Sequence, residues 1–177
     1  MLNPVSSLSR VVLLGAESSG KTTLCRSLAA ACDTIWVPEY GRQLTEDKHG
    51  DLSFADHLRI GKRHVELEDE AASRARQYLF VDTNATTTML YSYYYYQQCD
   101  PALLALALAC RARYAYTFVC APTIPFEADG WRGPEALRPV QHGTILMQLA
   151  LLAIPYTLVG GSVAERVAQV RSQLAAV

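Results

Sequence analysis

No two of the five cysteines (Cys25, Cys32, Cys99, Cys110, Cys120) stand at CxxC spacing. An odd, scattered set excludes a disulfide framework and points to reduced thiols in a cytoplasmic protein. None of the four histidines (His49, His57, His64, His142) completes a zinc motif with them. There is no block of lysine and arginine, and the net charge is −1. Nucleic acid is therefore not an expected partner. No apolar stretch reaches the roughly 20 residues that span a bilayer. Residues 103–110 come closest and are too short, so no membrane association is expected. The first residues carry no signal-peptide pattern. Repeats, linkers and shifts of composition are absent too. One domain over residues 1–177 is expected.

What is present is a core-forming composition, half hydrophobic, in which strand and helix signals alternate. Residues 10–15, 34–38, 78–82, 115–120 and 156–159 read as strands. Residues 20–32, 53–76, 85–112 (broken near Asp100 and Pro101), 139–153 and a segment from Ser162 read as helices. Ser53 is a candidate cap for the second of these. A polar loop around His49 precedes it. A mobile loop rich in proline and glycine fills 122–138. This order predicts an α/β fold with a parallel sheet covered on both faces.

The most specific motif lies between the first strand and the first helix. Gly15-Ala16-Glu17-Ser18-Ser19-Gly20-Lys21-Thr22 fits GxxxxGK[ST], the phosphate-binding P-loop, in the context that motif requires. Glycines at both ends let the loop curl so that its amides point inward, and the following helix adds its own open N–H groups. Lys21 is placed to reach the β- and γ-phosphates of a nucleoside triphosphate, and Thr22 to ligate Mg²⁺. Thr23 falls on the α-phosphate side. Glu17, Ser18 and Ser19 fill the arch.

Four further groups surround it in sequence. Asp82 ends the third strand, where an acid either binds Mg²⁺ or caps the next helix; Thr83 and Asn84 are alternative caps. Glu39 follows the second strand, at the sheet edge where ligands bind. It either accepts a proton from a substrate hydroxyl or pairs structurally with Arg42. Arg132 and Arg138, in the 122–138 loop, either stabilise transferred charge or are solvated. Gly160 and Gly161 follow the fifth strand, where an adenine can approach the backbone. Tyr91 and Tyr95 share a helix face within a tyrosine run. They stack on a flat substrate ring, pack under a helix, or meet a partner in a homodimer.

The segments Gly15–Thr23, Glu39-Tyr40-Gly41-Arg42, Val81-Asp82-Thr83 and Asp129-Gly130-Trp131-Arg132 together resemble the ribosylnicotinamide kinase domain of the bacterial NadR proteins, a P-loop ATPase/kinase group of AAA type. The resemblance covers nearly the whole chain. It implies ATP-dependent phosphorylation of the 5′-hydroxyl of nicotinamide riboside, giving nicotinamide mononucleotide. It also implies a nucleoside-kinase-like fold with sheet order 2-3-1-4-5 and a lid at about 123–138. The residue reading that results has Lys21 and the loop amides on the phosphates, and Thr22 and Asp82 on Mg²⁺. Glu39 is the general base, with Asp82 second. Arg132 and Arg138 act on the transferred charge. Trp36, Glu39, Tyr40, Arg42 and Asp82 line the acceptor side, and Arg132 and Gly161 help hold the nucleotide. NadR proteins are longer, and the HxGH nucleotidyltransferase motif is absent here, so a stand-alone kinase is expected. Pro38 stands where an aromatic residue is expected before Glu39. Two other readings stay open: a kinase of another nucleoside or vitamin-like alcohol, and a regulatory P-loop ATPase or nucleotide-dependent binding module.

Overall fold

The computed structural model describes residues 8–175; the extreme N-terminus, read above for a leader sequence, lies outside them. Five strands form one parallel sheet: β1 (Ser9–Leu14), β2 (Trp36–Val37), β3 (Tyr78–Asp82), β4 (Tyr116–Cys120) and β5 (Thr157–Val159). Their order is β2-β3-β1-β4-β5, as the resemblance implied. The central strand pairs Val12 with Val81 on one side and with Thr117 on the other.

Alternation along β1 divides the core. Val12 and Leu14 face one side, with Met89, Leu103, Ala107, Ile145 and Leu149. Val11 and Leu13 face the other, with Leu24, Leu28, Phe80, Phe118 and Val170. Each fully buried side chain of this size stabilises the fold by about 1.5–3 kcal/mol. The helices α3 (Phe54–Ala72), α4 (Ala85–Tyr96), α5 (Pro101–Arg113) and α6 (Arg138–Leu151) cover the first side. The helices α1 (Lys21–Ala31) and α7 (Val163–Ala175) cover the second. The cysteines are all free, and Cys25, Cys110 and Cys120 are buried. No described helix is long and apolar enough to cross a membrane.

Ser53 caps α3 in a capping box with Asp56. Asn84 caps α4 by accepting from the Thr86 amide at 3.0 Å. That bond frees Asp82 from the capping role. One segment corrects the sequence reading. Residues 40–47, expected in a polar loop, form a helix, α2 (Tyr40–Asp47). Its single buried side chain is Leu44, so no apolar period announced it. Gly41 makes it possible, because a Cβ there would lie 3.3 Å from Ile60 of α3. The 122–138 loop ends earlier than expected, in a 3₁₀ turn at Glu135–Leu137 that leads into α6 at Arg138.

Candidate active site

β1 ends buried at Leu14, and the chain turns at Gly15 with φ 151°. Only glycine fits there. A Cβ would meet Ser19 Oγ at 2.7 Å and the Cys120 carbonyl at 2.9 Å. Ser18 (φ 52°) and Gly20 (φ 85°) are both left-handed. Gly20 caps α1 without any side-chain bond, which leaves the first helical amides open to an anion. The Lys21 ammonium lies across the arch and donates to the carbonyls of Gly15 (3.0 Å) and Ala16 (2.9 Å). Glu17 accepts from the Gly133 amide at 3.0 Å and from the Tyr91 hydroxyl at 3.2 Å. The arch is thereby tied to the 122–137 segment and to α4.

Thr22, one residue into α1, donates its hydroxyl to Asp82 Oδ2 at 2.5 Å. Asp82 is buried, and its Oδ1 has no partner. Burial raises its pKa; Lys21, the Thr22 hydroxyl and His64 pull it back. An orphaned carboxylate oxygen beside a hydroxyl presents two hard ligands at one point. No group of three or more His, Cys, Asp or Glu side chains that could hold a metal exists among the described residues. The donor chemistry of the Thr22–Asp82 pair suits Mg²⁺, an ion that takes oxygen ligands and keeps waters and substrate phosphates as the others. Thr83 then takes φ 68°, a conformation that costs a β-branched residue on the order of 1–3 kcal/mol. It is held by its amide on Leu13 O (3.0 Å) and by the buried His64 Nε2 on its carbonyl (3.2 Å). Burial lowers the His64 pKa to about 4, so the imidazole is neutral and donates through Nε2.

Glu39 stands at the N-cap position of α2 without a side-chain capping bond and lines the same cavity as Asp82, Lys21 and Thr22. Enclosure pushes its carboxyl up to about 7, and Asp82 adds to this while Lys21 and Arg42 oppose it. Arg42 makes no ion pair with Glu39. It binds Glu46 at 2.6 Å and Asp129 at 2.7 Å, so the structural Glu39–Arg42 pair is ruled out as an explanation of Glu39. The raised value has a measurable consequence. Against an ordinary 4.5, the native state favours the protonated form. The stability this proton confers is complete below about 4.5 and is lost as pH rises through about 7. Glu39→Gln, neutral throughout, is expected to melt close to the parent at pH 5 and above it at pH 8. Identical melting temperatures at pH 8 would contradict this.

These groups open into one cavity of about 960 Å³. It contains Glu17 to Thr23, Glu39, Arg42, Asp82 and Arg132. Gly15 and Ala16 lie buried under the arch. Other expected residues fall elsewhere. Trp36 does not line the cavity. It pairs with Phe80 in register, packs on the α1 side of the sheet, and has Arg26 5.8 Å from its ring. Period-2 alternation on a two-residue strand sends Trp36 and Val37 to opposite faces. Tyr40 lies in a separate surface depression with Leu58, Arg59 and Lys62. Gly161 is also outside the cavity wall, with its carbonyl bound by Arg166 at 2.9 Å. Arg138 is buried rather than solvated. It sits behind the arch and donates to the carbonyls of Ser18 (3.2 Å) and Ile124 (2.9 Å). Arg132 is held by Asp129 at 2.8 Å and by the Glu127 carbonyl.

The cavity is also lined by residues that sequence reasoning left unassigned or missed. Tyr91, Tyr95 and Tyr96 line it from α4, and Trp131 from the 122–137 segment. Tyr91 and Tyr95 stack at 6.1 Å, as their shared helix face required. Trp131 rests over Gly50, where a Cβ would come within 2.9 Å of its ring. His57, His64 and Thr87 complete the floor. The Thr83 and Thr87 hydroxyls are buried without partners.

Relatives of known sequence and structure share this fold. The chain is 32% identical to the trifunctional NAD biosynthesis/regulator protein NadR of Escherichia coli (strain K12) over 126 residues, 69% of this chain and 30% of that protein. It thus spans less than a third of the length of that relative. A NadR structure in complex with NAD and AMP-PNP superposes with a TM-score of 0.75 at 19% identity, over 97% of this chain and 50% of that one. A NadR structure in complex with NR gives 0.66 at 22% identity, over 87% and 45%. At these identities the superpositions show a common fold. The model of the AAA domain family AAA_28 matches residues 10–166, and the chain belongs to that family.

Proposed function

We propose that the protein is an ATP-dependent kinase of a small nucleoside-like acceptor, with nicotinamide riboside as first candidate and nicotinamide mononucleotide as product. The observation that carries this is the placement of two carboxylates, Glu39 and Asp82, on the wall of the same cavity as Lys21 and Thr22, a cavity of about 960 Å³. A switch ATPase needs room for a nucleotide. This cavity is also lined by three tyrosines and a tryptophan, Tyr91, Tyr95, Tyr96 and Trp131. The complexes of the NadR structures with AMP-PNP and with NR support the choice of donor and acceptor.

In this reading the open amides of residues 19–22 and the Lys21 ammonium bind the β- and γ-phosphates, and Thr22 with Asp82 holds Mg²⁺. The cation, when bound, offsets charge on the phosphate oxygens. The acceptor hydroxyl lies beside Glu39. Its oxygen forms the new bond to the γ-phosphorus, the bond to the ADP oxygen breaks, and the hydroxyl proton passes to the Glu39 carboxylate. A base with a value near 7 suits this transfer. Residues 123–138 act as a lid that excludes water, with Arg132 released from Asp129 onto the transferred phosphoryl group. Arg138 contributes from behind the loop. Trp36, Tyr40 and Gly161 have no part in it.

The cavity carries a charge preference. Glu17, Glu39, Glu46, Asp82 and Glu127 face Lys21, Arg42 and Arg132 around the cavity. Five acidic side chains stand against three cations, and both arginines are already paired, Arg42 with Glu46 and Asp129 and Arg132 with Asp129; the balance favours a cationic acceptor. The pyridinium ring of nicotinamide riboside meets that preference and offers a flat face to Tyr95 and Trp131. The free thiols fit a cytoplasmic location, where ATP is available.

A screen of nucleosides and vitamin-like alcohols with ATP tests the acceptor. Nicotinamide riboside is expected to be phosphorylated at least about tenfold more efficiently than uncharged nucleosides such as uridine, one to two kcal/mol of charge discrimination. No turnover at millimolar nicotinamide riboside would remove it from first place.

A further inference from the structure

The guanidinium of Arg166 is among the largest fully buried side chains of the protein, yet it joins no ion pair among the described residues. It donates instead to uncharged oxygens from three loops. Nη1 binds the Ser19 carbonyl at 2.5 Å, and Nε binds the Gly161 carbonyl at 2.9 Å. Nη2 binds the Ala121 carbonyl at 3.1 Å and the Thr123 hydroxyl at 3.3 Å. The loops that end β4 and β5 are thereby joined to the P-loop through one side chain. Burying a cation without a carboxylate is costly, and the location of this one explains why it is tolerated.

A trans peptide is planar, so the carbonyl of one residue and the N–H of the next point in opposite directions. Arg166 draws the Ser19 carbonyl to the back of the arch, which turns the Gly20 N–H to the front. Arg138 does the same one residue earlier, drawing back the Ser18 carbonyl and turning the Ser19 N–H forward. No described hydrogen bond uses either amide. The two turned amides flank the open N-terminus of α1. Behind them stands a fixed positive charge in a dry setting, where it acts on an anion more strongly than it would in water.

We propose that Arg166 is a positioning residue for the polyphosphate: it aims the Gly20 amide at the phosphate oxygens and supplies an unpaired cation whose compensating charge is the bound nucleotide. This rests on the reading of the P-loop as a nucleotide site. It assigns Arg166 no contact with substrate. The effect therefore grows with the number of phosphates and is small for the base and sugar.

The test is calorimetric binding of AMP-PNP, ADP and AMP, without acceptor and without turnover, to the parent, Arg166→Gln and Arg166→Lys. Arg166→Gln is expected to weaken AMP-PNP at least tenfold more than it weakens AMP, with ADP between them. Arg166→Lys, which keeps the charge but not the fork, is expected to recover part of the loss. It also serves should the glutamine variant not fold, because its AMP-PNP loss must still exceed its AMP loss. Equal losses for all three nucleotides, the mark of a merely structural residue, would overturn the proposal. Failure of the parent itself to bind AMP-PNP would overturn the nucleotide reading as well. That outcome is distinct from a parent that binds and variants that bind alike.

Discussion

Lys21→Ala is expected to lower kcat/KM for ATP by about a hundred- to a thousandfold, the loss seen when a preorganised donor to developing charge is removed. Lys21 is the one ammonium on the cavity wall among the described residues, and its reach is already set by its bonds to the Gly15 and Ala16 carbonyls. Its loss also acts on the acceptor side. Lys21 is the leading influence that holds the Glu39 pKa down, and it does the same for Asp82. Without it both carboxyls shift upward, so the residual activity should need a higher pH than the parent. The check is a pair of steady-state pH profiles. A variant that keeps a tenth of the parent's kcat/KM would remove Lys21 from the phosphate site.

Glu39→Gln is expected to reduce kcat by about a hundred- to a thousandfold, within the usual contribution of a positioned general base. The affinity for ATP should change less than about threefold, because the Glu39 side chain makes no described hydrogen bond or ion pair to residues 15–23. In the parent, kcat/KM for the acceptor should rise with pH and level off above about 7, as the carboxyl ionises. The variant should lack that rise. An unchanged kcat would transfer the role to Asp82. Asp82, however, is committed to Thr22 and more deeply buried, and suits a metal ligand better than a base.

The donor half of this site was readable in the sequence because it is local. Gly15 to Thr23 is one continuous turn whose glycines, lysine and threonine act at fixed spacing. The strands were readable because β1 and β3 are buried on both faces and carry unbroken apolar runs. The acceptor half is assembled from distant segments, and there local rules gave out. Trp36 and Tyr40 flank Glu39 in sequence, but pleating and helix rotation send their side chains away from it. Helix α2 buries one residue, and so had no period to detect. Trp131 reaches the cavity only because Gly50, some eighty positions away, leaves room for its ring. Arg138 read as a loop arginine for transferred charge, and Arg166 as an ordinary helix residue. Their burial follows from loops that converge behind the arch. A charged residue at an apolar position of α7, in the period set by Val170 and Leu174, was the available signal for Arg166.

The destination of the γ-phosphate of ATP decides whether the cavity is a kinase site. With the protein, Mg²⁺, ATP and nicotinamide riboside, phosphorus NMR should show one new phosphomonoester for each ADP formed. ADP should accumulate at least about a hundredfold more slowly when the acceptor is left out, since the lid and the aromatic-lined cavity offer water no positioned place beside Glu39. Release of ADP and inorganic phosphate at the same rate with and without every acceptor tried, and no phosphomonoester, would contradict a kinase and leave a nucleotide hydrolase in its place.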